Sequence, residues 1–503
     1  MSNKFLNSMK RKDNFTTTEN GSITHKSTMN DCLDFFALGG AMRNRSDEDI
    51  ILMFRKAYNE NPLIAMKLLF YFRDVRGGQG ERRLFRVITK DLAKNNPKVL
   101  KKNLNNIYEF GRWDDLIELA FKGSGVEKEV IAIIKAQLST DLQNTKTLGS
   151  VSLLAKWMPS IGTSSKETVM KAKYLAKQLN MSPKKYRKTL TKLRKYINIV
   201  ETTMSINEWN KIEFDKLPSK AGLKYRKAFE RHCGERYADF MDNKETKVNA
   251  STLYPYEVVE KAISLFRGWY GYCNLTYRDN EVEVNAINKY WENLKDYFNG
   301  KSCNMIPVVD TSGSMMGTPI NVAISLGLYC AERNHGPFKD HYISFSRQAR
   351  LVETEGIDFV DKVRRIYKTN ICENTNIESV FDLILDIALE NNLRQDELPH
   401  NVVIISDMEF DYGVGDYSFR RRNKSTLMED IADKWRRNGY EMPHLIYWNV
   451  DARQNNIPMI GKGRISYVSG FSPSTFEMVL TGKTGYELML ETINQDRYEC
   501  ITV

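Results

Sequence analysis

The sequence predicts two folded parts in one chain: an all-α stack of helical hairpins, then an α/β doubly wound domain. Three observations predict it. Apolar residues recur at helical spacing from about residue 31 to 300, short apolar strand-like runs alternate with helical runs from about 301 onward, and charge divides at the same place. Residues 305–503 hold 21 Lys and Arg against 28 Asp and Glu, so the whole-chain charge of +11 leaves +18 for residues 1–304. At 503 residues the chain also exceeds what one hydrophobic core usually supports. The expected division is 1–30 as a flexible N-terminal arm, 31–300 as a basic helical domain and 301–503 as the α/β domain.

Taken in order, the first thirty residues are rich in Lys, Asn, Ser and Thr and carry little apolar surface, hence the arm, ordered if at all by docking. Ser46-Asp47-Glu48-Asp49 reads as a helix N-terminus, followed by apolar residues at 50, 51, 53, 54, 57 and 58 and a stop at Asn61-Pro62. Ala65, Leu68, Leu69 and Phe72 repeat the pattern, and helical spacing returns around 84–93, 115–121, 128–138 and 168–179. No fixed repeat length emerges, so irregular HEAT-like hairpins describe this part better than a regular solenoid. Strand-like runs then follow at 304–309, 341–345, 401–406, 444–448 and 464–468, alternating with helices as a parallel sheet requires.

Within the basic part, residues 166–195 carry eleven Lys and Arg against Glu167 alone. Such a run is either a solvated helix face or a phosphate-binding surface. Tyr174, Tyr186 and Tyr196 among the cations offer planes for base stacking and tilt the reading to RNA. The candidate contacts are Lys184, Lys185, Arg187, Lys188, Lys192, Arg194 and Lys195. Arg76 and Arg82 in the glycine-rich stretch 76–83 are further candidates, although an interhelical turn whose arginines bridge nearby acids explains them equally well. Trp113 and Trp157 read as packing residues.

The chemistry-bearing stretch of the second part is Val309-Asp310-Thr311-Ser312-Gly313-Ser314, where an apolar strand delivers a carboxylate and two hydroxyls into a tight loop. A hard divalent cation prefers such oxygen donors. Asp407, ending the run 401–406, and Thr375, opening an apolar helix, can supply the other side, although Thr375 with Glu378 also satisfies a T-x-x-E capping box. The candidate metal set is therefore Asp310, Ser312, Ser314, Thr375 and Asp407, with Mg²⁺ the expected cation and Mn²⁺ or Ca²⁺ the alternatives.

Those five residues, in that order, resemble the metal-ion-dependent adhesion site of von Willebrand factor type A (vWA) domains. The resemblance implies that the serines and threonine coordinate Mg²⁺ directly or through water. It implies further that the aspartates act mostly through bound waters, and that a sixth position awaits an acidic group on a partner protein. Asp31-Cys32-Leu33-Asp34-Phe35-Phe36, Val75-Arg76-Gly77-Gly78-Gln79-Gly80-Glu81-Arg82, Phe110-Gly111-Arg112-Trp113-Asp114-Asp115-Leu116, Ala155-Lys156-Trp157-Met158-Pro159-Ser160 and Ser406-Asp407-Met408-Glu409-Phe410-Asp411 are similar to signatures of an uncharacterised vWA-containing family. That family in turn resembles, more distantly, the TROVE module of the Ro ribonucleoproteins, a helical ring closed by a vWA domain.

Several enzymatic readings lack the motif they need. Gly482-Lys483-Thr484 ends like a Walker A loop, but the leading glycine position holds Glu477. No G-x-S-x-G elbow surrounds Ser312 or Ser314, the six histidines form no H-x-x-x-H pair, and Ser312 stands where a phosphatase loop needs a second carboxylate. Seven cysteines without a C-x-x-C pair indicate reduced thiols. With no signal-like or membrane-length apolar run, the expectation is a cytoplasmic protein with nuclear access open, not a secreted one. The function expected is a non-enzymatic RNA-binding ribonucleoprotein scaffold that recruits a partner through Mg²⁺; a protein-interaction adaptor with no RNA role is the alternative.

Overall fold

The computed structural model describes residues 9–10, 13–267, 276–277, 280–344, 348–369, 375–412, 425–461 and 464–503. Residue 345 of the expected second strand and Cys273 and Cys372 lie outside the described residues. Contacts divide the chain into two compact units. One comprises Met1–Leu68 with Asn249–Gln495, the other Leu69–Val248 with Asp496–Val503. The expected cuts at 30 and 300 are therefore not where the contacts divide. The helices Asp31–Gly39, Pro255–Ile263 and Glu281–Glu292 read as helical-domain elements but pack with the sheet unit. Gly40, capping the first of them, lies so close to the sheet that an added Cβ would stand 2.5 Å from the Ser469 carbonyl oxygen. Trp291 of the third stacks on Phe359 at 4.0 Å.

The first unit is built on a six-stranded sheet of β3 (Met305–Val309), β4 (His341–Ser344), β5 (Arg350–Glu353), β6 (Asn401–Ser406), β7 (His444–Asn449) and β8 (Ile465–Ser469). Its order is β8-β7-β6-β3-β4-β5, parallel except for the antiparallel edge pair β4–β5. Five of these strands coincide with the apolar runs of the sequence. The sixth, β5, was not foreseen, because its Arg350-Leu351-Val352-Glu353 lies largely exposed at an edge and carries no apolar run. β3, β7 and β8 are buried along their whole length, as expected of parallel strands covered by helices. Helix Thr318–Arg333 packs on β3, β4 and β6, and Gly327 makes that approach possible: a Cβ there would meet the Val309 Cγ2 at 2.2 Å.

The expected N-terminal arm is ordered where described. β1 (Phe15–Thr17) and β2 (Ile23–His25) form an antiparallel hairpin, and Asn14, Thr18, Ser22, Thr24 and His25 are buried. His25 exchanges backbone hydrogen bonds with Ile457, and Gly21 bridges Asp411. A polar segment is held here by backbone pairing to distant loops, which composition does not register.

The second unit is helical, with Arg83–Asn95, Glu127–Thr147, Lys166–Gln178, Pro183–Tyr196 and Ser219–Asp242 as its longer elements. Its core holds the buried Arg73–Asp115 pair at 2.6 Å. Phe110 stacks on Tyr498 from the C-terminal segment, whose hydroxyl donates to the Asp74 carboxylate at 3.0 Å. Among the described residues, no helix is long and apolar enough to cross a membrane.

Candidate functional site

The chain runs from β3 outward through β4 to the edge, then returns to lay β6 on the other side of β3. This is a topological switch point, where the carboxyl ends of adjacent parallel strands open a crevice. Asp310 follows β3 and Asp407 follows β6, so strand order alone places both carboxylates at that crevice. The Asp310 backbone N–H continues the ladder to Ile405, fixing the loop's departure.

Asp310 is buried and oriented by two donors. The Ser406 hydroxyl donates to its Oδ2 at 2.6 Å and the Ser312 N–H to its Oδ1 at 2.9 Å. A 3₁₀ turn over Gly313–Met315 then brings Ser312 Oγ and Ser314 Oγ to 3.1 Å of each other. Burial, then the charge of Asp407, pushes the Asp310 carboxyl up to about 7, against the opposing hydrogen bonds of Ser406 and Ser312. Asp407 is equally buried; its Oδ1 accepts from the Glu409 N–H at 3.1 Å and its Oδ2 pairs with Arg453 Nη2 at 2.7 Å.

Thr375 is not the helix cap that its sequence context allowed. Asn376 takes that role, its side chain accepting from the Ser379 N–H at 3.2 Å. Thr375 instead lies beside the segment that follows Asp407. Its N–H donates to Asp411 Oδ2, its carbonyl accepts from the Asp411 N–H, and its hydroxyl accepts from Asn20 Nδ2 at 3.4 Å. Asp310, Ser312 and Ser314 thus form one hydrogen-bonded group and Asp407 adjoins it in charge, while Thr375 connects to the same loop through Asp411 and Asn20. Two neighbouring hydroxyls beside two buried carboxylates are the donor chemistry of a hard cation, so the residues fit Mg²⁺. Among the described residues, no group of three His, Cys, Asp or Glu side chains could hold a metal.

Sequence reasoning missed four residues here: Glu19, Asn20, Glu409 and Arg453. Glu409 receives Glu19 N–H at 2.7 Å and Asn456 Nδ2 at 2.7 Å. Burial raises its carboxyl to about 7, with the charges of Asp407 and Glu19 adding to the rise against the Glu19 N–H bond and Arg453. Arg453 joins Asp407 to Glu19, with Nη1 on Glu19 Oε2 at 2.8 Å. Burial alone would make its guanidinium easier to deprotonate, but Asp407, Glu19, Glu409 and Asp451 hold its pKa above the ordinary value. Only Glu409 had a signal, as part of the Ser406–Asp411 signature; nothing in the neighbourhood of Arg453 or Glu19 marks them.

In the second unit, helices Lys166–Gln178 and Pro183–Tyr196 carry the basic run. The latter is capped by Ser182 and buries Tyr186, Leu190 and Leu193 on one side. Lys184, Lys185, Arg187, Lys188, Lys192 and Lys195 are exposed, and none is engaged in a side-chain ion pair or hydrogen bond among the described residues.

Arg194 differs from its neighbours. Its Nε donates to Ala155 O at 2.8 Å, Nη1 to Ser160 Oγ at 2.7 Å and Nη2 to Met158 O at 2.7 Å, so it secures the 155–160 segment rather than facing outward. Tyr186 is buried with its hydroxyl on Pro159 O, and Tyr174 packs on Phe121, which leaves Tyr196 as the exposed ring of the three. Trp113 is buried and stacks on Tyr108 at 3.9 Å, as its packing assignment anticipates.

The 76–83 stretch is an interhelical turn. A Cβ on Gly78 would stand 1.9 Å from the Tyr71 carbonyl oxygen, and Asp74 Oδ1 accepts from the N–H groups of Arg76 and Gly77. Arg76 is exposed but donates to Glu109 O at 2.9 Å, and Arg82 lies 3.9 Å from Asp114 with about half of its side chain exposed.

The family described as "Domain of unknown function (DUF2828)" matches residues 18–134 and 163–302, a little over half of the chain. A second, "Domain of unknown function (DUF7788)", matches residues 304–499. The chain is similar to "Uncharacterized protein L728" of Acanthamoeba polyphaga mimivirus. The two are 29% identical over 518 residues, covering 93% of this chain and 85% of that protein. Among solved structures, the alignment with the crystal structure of Deinococcus radiodurans RO (RSR) protein covers 93% of this chain and 99% of that one. Identity is 13% and the TM-score 0.34, values that transfer neither fold nor function.

Proposed function

The chain belongs to the DUF2828 family, and from that premise we propose that it is a non-enzymatic RNA-binding scaffold of ribonucleoprotein type. Its helical unit holds RNA, and its sheet unit, read as a vWA-type domain, offers Mg²⁺ to an acidic group on a partner protein. The observation that carries the RNA reading is the outward face of Pro183–Tyr196, where six cations stand exposed on a helix whose other side is buried. A 14-residue helix is about 21 Å long, enough to meet several successive phosphates. Contacts of this kind give salt-dependent, sequence-tolerant binding. This chemistry serves structured and single-stranded RNA alike, since phosphates are common to both.

In the sheet unit, Ser312 and Ser314 would be direct donors, with Asp310 and Asp407 orienting bound water and Thr375 completing the set. The cation would supply Lewis acidity toward a partner carboxylate. Ser312, standing two residues after Asp310, provides no second carboxylate for hydrolysis, which supports binding over catalysis. The five described cysteines 32, 233, 303, 330 and 500 are free, in keeping with the reducing compartment proposed, the cytoplasm with nuclear access.

Charge reversal tests the RNA reading. Lys184→Glu, Lys185→Glu, Arg187→Glu and Lys188→Glu combined should weaken binding of a fluorescent RNA at least a hundredfold at 0.1 M salt, by order of magnitude for four lost phosphate contacts. Circular dichroism should be unchanged, because all four side chains are exposed. Retained affinity in the folded variant would remove this surface from the reading. The alternative, an adaptor with no RNA role, draws support from the burial of Tyr186 and the packing of Tyr174, which withdraw two of three stacking rings. RNA crosslinked and sequenced from the native source, with the reversed variant as control, separates the two.

A further inference from the structure

We propose that Arg453 is the resident cation of the Asp407 carboxylate, held there by Glu19, so that loading a divalent cation at the candidate site requires the N-terminal hairpin turn to release it. The proposal rests on the metal reading of Asp310, Ser312, Ser314, Thr375 and Asp407 given above.

One guanidinium spans two carboxylates of opposite exposure. Nη2 meets the fully buried Asp407 Oδ2 at 2.7 Å, and Nη1 meets the outer Glu19 Oε2 at 2.8 Å. The Arg453 Nε is buried and has no hydrogen-bond partner among the described residues, so these two Nη contacts hold the group. Glu19 sits in the turn between β1 and β2, and that turn is fastened to the loop after Asp407. The Glu19 N–H donates to Glu409 Oε2 at 2.7 Å, Asn20 Nδ2 donates to Glu409 O at 2.5 Å, and Thr18 Oγ1 donates to Phe410 O at 2.7 Å. Asn20 Nδ2 also reaches Thr375 Oγ1 at 3.4 Å, engaging one lone pair of the hydroxyl that a cation would use. The turn therefore touches the candidate site at two members, Thr375 directly and Asp407 through Arg453.

Charge sets the two cations in competition. A divalent cation beside Asp310 and Asp407 and a guanidinium on Asp407 repel one another, and the buried carboxylate is satisfied by either alone. Glu19 favours the guanidinium, because it supplies Arg453 with a second partner only while the hairpin is docked. Metal loading and hairpin docking thus compete through one side chain, and each must weaken the other equally.

Calorimetric titration of the full chain with Mn²⁺ tests this, using the native chain, Glu19→Gln and Ser312→Ala/Ser314→Ala. Glu19→Gln should bind Mn²⁺ about tenfold more tightly than the native chain, the change expected when a competent state populated near one part in ten becomes dominant. The double serine variant should not bind. Arg453→Gln should move affinity in the same direction as Glu19→Gln, which keeps the test decisive if one variant folds poorly. Hydrogen exchange over residues 15–25 should accelerate when Mn²⁺ saturates the native chain. Equal affinity in the native chain and Glu19→Gln, or unchanged exchange, overturns the proposal and leaves the metal reading standing. Weaker binding in Glu19→Gln overturns it by making Glu19 a ligand. Absence of Mn²⁺ binding in every variant removes the metal reading and the proposal together.

Discussion

His444 shows how a single buried group sets a pH limit on the sheet unit. It stands at the start of β7, almost wholly covered, between Asn401 Oδ1 at 3.1 Å and Ser466 Oγ at 2.8 Å. Burial, then the nearby Arg464 charge, lowers its pKa to about 4. The unfolded chain takes up that proton near the ordinary value of about 6.5 while the folded chain resists it. Stability contributed by the neutral ring is therefore complete above pH 6.5, falls as pH drops toward 4, and changes no further below. The loss is on the order of 3 kcal/mol. Urea unfolding of the native chain and His444→Gln across pH 4–8 should diverge only in that window; parallel curves throughout would refute it. The same scale explains why Arg194 and Lys195, neighbours in sequence, differ: Arg194 donates to three carbonyl and hydroxyl acceptors, and the Lys195 side chain to none among the described residues.

At the scale of elements, the seating of helix Thr318–Arg333 on β3 governs the position of Asp310. Gly327 meets Val309, the residue immediately before Asp310, with no room for a methyl group. Gly327→Ala should destabilise the chain by about 1–3 kcal/mol through overpacking. It should also weaken any Mn²⁺ binding, because relief of the clash shifts the end of β3. Val309→Ala added to it should restore part of the stability, a compensation readable in a double-mutant cycle.

These elements were legible in advance where the signal is local: buried parallel strands are continuous apolar runs, and the Ser46 cap precedes a periodic helix. β5 was not legible because an exposed antiparallel edge strand needs no apolar pattern. The cap at Asn376 rather than Thr375 was a choice between adjacent residues that only backbone geometry makes.

Over the whole molecule, compactness does not follow chain order. The last eight residues, Asp496–Val503, belong with the helical unit, where Tyr498 lies between Phe110 and Tyr71 and Arg497 pairs with Asp74 at 2.6 Å. Tyr498→Ala should cost about 3–5 kcal/mol, as removal of a fully buried aromatic ring does. Cleavage of the helical unit in limited proteolysis should accelerate accordingly, and resistance equal to the native chain would show the segment to be dispensable.

The sequence by itself determined the chain order of the candidate oxygen donors, the parallel strands that two of them follow, and the placement of cations on one helical run. Each is encoded within a few neighbouring residues. Tertiary structure alone decided the docking of the N-terminal hairpin, the bridge from Glu19 through Arg453 to Asp407, and the unit boundaries at residues 68, 248 and 495. Those features join groups that are far apart along the chain, and pairing at such separation leaves no trace in local periodicity or composition.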